Sequence, residues 1–102
     1  SQTEGFDWKT SSRLSFPQVL QANEYWSLAE LAGHTLQRYR LVRFDKVLGI
    51  WEERVIQPEG LVWEGQQVSR AELSACFDTL RQLSLHVRYI TSHIASPELA
   101  TA

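Results

Sequence analysis

Three histidines, one cysteine, a set of glutamates and one basic run are the side chains here that could do chemistry, and their spacing decides each case. His86 and His93 stand seven positions apart in a helical pattern. That is ~10 Å of rise, too far to share a metal ion, for which i,i+4 spacing is usual. His34 is remote in sequence from the other two. Cys76 falls in an apolar stripe, where cysteine acts as a small hydrophobe. A nucleophilic role would need an exposed, electropositive setting and an oriented base, and no such Cys-His order is readable. Glu52 and Glu53 are adjacent on a strand pattern, so they point to opposite faces and cannot work as a carboxylate pair. No glycine-rich phosphate loop, nucleophile elbow or dinucleotide fingerprint occurs. The chain is therefore expected not to be an enzyme, with no catalytic residue, no metal and no cofactor.

Arg38-Tyr39-Arg40-Leu41-Val42-Arg43-Phe44 interleaves basic and aromatic residues, as RNA-binding sheets do. Residues 38–46 carry four positive charges and one negative; residues 47–72 carry two positive and five negative. Neighbouring strands would largely cancel the field. An RNA-contacting domain is the weakest of the three functional readings. Trp8, Trp26, Trp51 and Trp63 make tryptophan frequent for 102 residues, and such rings serve cores and binding surfaces alike. Gly49-Ile50-Trp51 resembles the G-x-W opening of lipocalins over about eight residues. A lipocalin barrel needs some eight strands, and only 51 residues follow Trp51. That family's ligand site is not carried over.

The elements that would position these side chains are marked by caps and periodicity. Ser69 and Glu72 form a capping box. Leu73, Cys76, Leu80, Leu83, Val87, Ile90 and Ile94 then repeat at steps of three and four, a heptad seam. The spacing predicts a helix over 69–96, stopped by Pro97. Ser15-Phe16-Pro17-Gln18 starts a short helix ending near Asn23. Ser27-Leu28-Ala29-Glu30 starts another, closed by Gly33. A competing pattern continues that helix from Leu28 through Val42. Leu36–Phe44, Leu48–Gln57 and Leu61–Val68 read as strands separated by Asp45-Lys46 and Pro58-Glu59-Gly60. With three-residue loops, Phe44 faces Leu48, Arg40 faces Glu52, and Ile56 faces Val62. Tyr39, Trp51 and Trp63 then share one sheet face. Residues 1–14 read as a flexible or docking arm bearing Phe6 and Trp8.

The expectation is a single α+β domain over residues 1–102. It has short N-terminal helices, a three-stranded antiparallel meander, and a long C-terminal helix packed on the sheet. Net charge is −2, no apolar run reaches membrane length, and no leader is visible, so a soluble cytoplasmic protein with no membrane partner is expected, and nucleic acid is the least favoured partner. Function is expected to be that of a small non-catalytic interaction module of adaptor, chaperone-like or regulatory type. It would be a homodimer, with Val87, Ile90 and Ile94 at the dimer contact and Tyr39, Trp51 and Trp63 binding a ligand or a partner protein. The alternative is an apolar ligand held between the tryptophan-rich sheet and the C-terminal helix.

Overall fold

The computed structural model describes residues 3–9 and 13–94. The element order is β1 (Glu4–Lys9), α1 (Phe16–Leu31), β2 (Arg38–Asp45), β3 (Ile50–Ile56), β4 (Leu61–Trp63), β5 (Gln66–Val68) and α2 (Arg70–Ile94). The fold is α+β, with a three-stranded sheet and a long C-terminal helix. The sheet order is β1-β2-β3, and β4 and β5 form a separate two-stranded hairpin.

The sheet is mixed, which corrects the antiparallel meander. β1 runs parallel to β2, from Glu4 opposite Arg38 to Lys9 opposite Arg43. A parallel pair needs a crossover, and α1 supplies it. The N-terminal arm thus extends the sheet at its edge. Its alternation of Gly5, Asp7 and Lys9 with Phe6 and Trp8 is the period-2 signal of a strand.

The β2–β3 loop explains the register. Asp45 pairs with Ile50, leaving four loop residues. Asp45 Oδ1 accepts from the backbone N–H of Val47 at 2.9 Å and of Leu48 at 3.0 Å, an Asx turn that closes the longer loop. Against the expected register the pairing slips by three, to Tyr39 opposite Ile56 and Phe44 opposite Trp51. An odd slip exchanges faces. Tyr39, Leu41, Arg43, Ile56, Arg54 and Glu52 share one face; Arg40, Val42, Phe44, Trp51, Glu53 and Val55 share the other. The expected third strand turns back on itself at Glu64-Gly65. Both residues have positive φ, 50° and 81°, as a two-residue type I′ turn requires.

α1 is one helix of 16 residues, which corrects the two short helices. Asn23 does not end it. That side chain is buried against α2: Nδ2 donates to Ser74 Oγ at 3.0 Å, and Oδ1 accepts from Arg70 Nε at 2.8 Å. Ser27 bonds back to the Asn23 carbonyl and caps nothing. At the true end, His34 N–H reaches the Ala29 carbonyl and Gly33 N–H that of Glu30. This is a Schellman closure with Gly33 in the left-handed region, as the sequence suggested.

Leu14, Val19, Leu20, Ala22, Trp26, Tyr39, Leu41, Ile56, Leu61 and Leu73 form the core between α1 and one sheet face. α2 packs chiefly on α1 rather than on the sheet, a third correction. The reason is the clasp at its base. Arg70 also donates to Glu30 Oε1 at 3.0 Å and Ser27 Oγ at 3.2 Å, and its guanidinium lies 3.8 Å from the Trp26 ring centre. The α2 start is as read: Ser69 N–H donates to Glu72 Oε1, and Ser69 Oγ accepts from Glu72 N–H. Ser96 and Pro97, read as its stop, lie outside the described residues.

Candidate functional site

Tyr39, Trp51 and Trp63 do not form one surface. Tyr39 is 8 % exposed and faces α1, with its ring lying on Gly5. Burial, with the Asp7 and Tyr25 charges behind it, pushes its hydroxyl up from 10.0. Trp51 is on the opposite face and 60 % exposed. Trp63 belongs to β4, where it packs 5.5 Å from Phe16 and beneath the Arg54 guanidinium at 4.8 Å. The odd register slip separates Tyr39 from Trp51, and the second hairpin removes Trp63 from the sheet.

The face that remains open is built by other residues. Parallel pairing of β1 puts Phe6 and Trp8 beside Arg40 and Val42. Trp8 meets Trp51 edge-on at 5.2 Å between ring centres, and Phe44 lies 4.8 Å from Trp51. Arg40 sits over Phe6 at 5.8 Å and donates to Glu53 Oε1 at 2.9 Å. The result is an aromatic strip at the loop end of the sheet and an ion pair beyond it. Phe6, Trp8 and Trp51 are each about half exposed. The sequence offered Phe6 and Trp8 of the N-terminal arm as possible cover for the Trp51 face, but not as a strand, because a parallel neighbour is distant in sequence and leaves no hairpin signal.

The basic run is divided. Arg38 and Arg40 pair with Glu4 at 3.5 and 3.9 Å, while Arg43 is buried on the α1 side against Asp45 and Glu52 at 3.5 and 3.4 Å. The expected Arg40–Glu52 pair is replaced by Arg40–Glu53 and Arg43–Glu52. Burial pushes the Glu52 carboxyl up, but the Leu14 N–H and Arg43 outweigh it and hold it below 4.5. Arg40 likewise holds Glu53 below 4.5. Each arginine of the run thus lies against at least one carboxylate. Among the described residues, no group of three or more His, Cys, Asp or Glu could hold a metal ion.

The second surface is α2. Leu73 is fully buried, and Phe77 packs against the core. From Asp78 to Tyr89 every residue is exposed. Leu80 is 45 % exposed, and Leu83 and Val87 more so. Cys76 is exposed too. Ile90 and Ile94 continue the heptad within α2, but their side chains lie outside the described residues. Between α2 and the start of α1 runs a groove of about 580 Å³ lined by Pro17, Leu20, Phe77, Leu80 and Leu85. A smaller one, about 370 Å³, is lined by Phe16, Leu20, Cys76 and Leu80. Neither lies between α2 and the sheet, where the apolar ligand was expected. No helix among the described residues is long and apolar enough to cross a membrane. The chain matches no known family model, no curated protein and no solved structure.

Proposed function

We propose that this chain is a non-catalytic association module that pairs with a second copy of itself through α2. One observation carries the reading: a heptad seam that is buried at Leu73 and then left open at Leu80, Leu83 and Val87. A seam repeating at 3.5 residues is complementary to itself, so a second copy is the occupant that fits it best. Its flanks at Thr79, Ser84, His86 and Thr91 are free of carboxylates, lysines and arginines, so no like-charge repulsion opposes pairing. Completing the burial of a half-exposed Leu or Val contributes about 1 kcal/mol each. Sedimentation across the micromolar range is expected to give a dimer, and Leu83→Asp with Val87→Asp a folded monomer. A wild-type monomer at tens of micromolar overturns the reading. Adaptor, chaperone-like or regulatory roles and a cytoplasmic location extend this proposal, with pull-down and fractionation as their tests. Denaturing extraction that released an apolar molecule from purified protein would favour ligand binding in the α1–α2 groove instead.

A further inference from the structure

The β2–β3 turn carries the most exposed large apolar residue among the described residues. Val47 is 93 % and Leu48 68 % exposed. Ile50 follows, half exposed, and Trp51 and Trp8 stand behind it on the open face. Moving from the turn into the sheet on this face, the order is the aliphatic tip, then Phe44 and Trp51, then Trp8 in one row with Val42 and Glu53, with Arg40 behind them. That sequence of layers matches a bilayer in depth: hydrocarbon, interface, water.

The backbone of the turn meets a stricter condition. Apolar surroundings penalise each unpaired N–H. Asp45 Oδ1 takes the N–H groups of Val47 and Leu48, and the Asp45 carbonyl takes that of Gly49 at 2.7 Å. Three consecutive donors at the tip are thus satisfied from within. The same bonds, with Arg43 beside them, turn the Asp45 carboxylate inward. Asp7 is paired with Lys9 at 2.9 Å, and Glu52 with Arg43. Lys46, exposed at the start of the turn, is the charge presented outward, and it complements anionic headgroups.

We infer that the Lys46–Trp51 turn is an interfacial anchor that inserts Val47 and Leu48 into the surface of a lipid bilayer, with Trp8 and Trp51 at headgroup level. A peripheral contact of this kind needs neither a membrane span nor a net positive chain. It is independent of α2 and of the dimer reading.

The test is flotation of the full chain with phosphatidylcholine vesicles, with and without phosphatidylglycerol, alongside tryptophan emission. Vesicles are expected to carry the protein and shift its emission to the blue, more strongly with the anionic lipid. Val47→Ser with Leu48→Ser should lower partitioning at least about tenfold, since each buried methylene adds to insertion. Both side chains already face solvent, so the melting temperature should hold, and Leu48→Phe should retain binding. Lys46→Ala should weaken binding to the anionic vesicles alone. Absence of flotation with either vesicle overturns the inference, as does flotation that the double serine variant leaves unchanged. Equal binding loss and monomerisation in that variant would show a protein contact at the tip and overturn it as well.

Discussion

Gly5 and three carboxylates show how single side chains hold this sheet together. Gly5 lies opposite Tyr39 in the parallel pair, and a Cβ there would run into the Tyr39 ring. Gly5→Ala must therefore displace a buried aromatic, a form of overpacking that costs about 1–3 kcal/mol. Urea melts should show that loss, whereas Gly65→Asn, at an open turn position of positive φ, should cost less. Asp45, Glu52 and Glu53 are all held below their ordinary values of 3.8, 4.5 and 4.5. At Asp45 the main cause is the Leu48 N–H. A carboxyl lowered by folding binds its proton less tightly when folded. Its contribution is complete above the unfolded value and fades as pH falls through the folded one. Thermal stability should therefore be flat from neutral pH down to about pH 5 and fall below about pH 4. The fall should be shallower in Glu53→Gln, which has already lost its charged partnership with Arg40.

Among the elements, α2 was the most legible and also the one placed on the wrong neighbour. Ser69 and Glu72 set its start as their types and spacing require. Its heptad is visible in the sequence, but a heptad says which stripe is apolar and not what covers it. Asn23 supplied that answer, and a polar residue in mid-helix carries no signal of its buried partners, Arg70 and Ser74. The consequence can be measured along the seam. Leu73, fully buried, should lose about 2–5 kcal/mol on change to Ala. Leu80→Ala, at a half-exposed position, should lose less than half as much at concentrations where a dimer would dissociate. Equal losses would mean that α2 is covered along its length even in the single chain. The register was illegible for a different reason. Turn type depends on whether Asp45 folds back on Val47 and Leu48, and one such choice moved every β2–β3 partner by three. That choice also decided the candidate site: it sent Tyr39 to the core and left Trp51 facing outward.

On the scale of the whole molecule, the described chain is elongated, 60 × 38 × 27 Å, with a radius of gyration of 17.6 Å. A compact chain of about 100 residues would have a radius near 13 Å, and the exposed half of α2 agrees with the larger value. The β1–α1–β2 crossover carries one further consequence, in time rather than space. β1 is the first described element, yet among the described residues its strand partner begins at Arg38. The β2–β3 hairpin closes over four residues, whereas β1 must wait for α1 to form and span the sheet. β1 is also an edge strand with half-exposed rings, so it is the natural first piece to detach. In a hydrogen-exchange experiment its amides should become deuterated well before those of β2 and β3. During refolding they should gain protection after them. The N-terminal strand, which widens the sheet and completes its aromatic strip, would then be the last part of this protein to arrive and the first to leave.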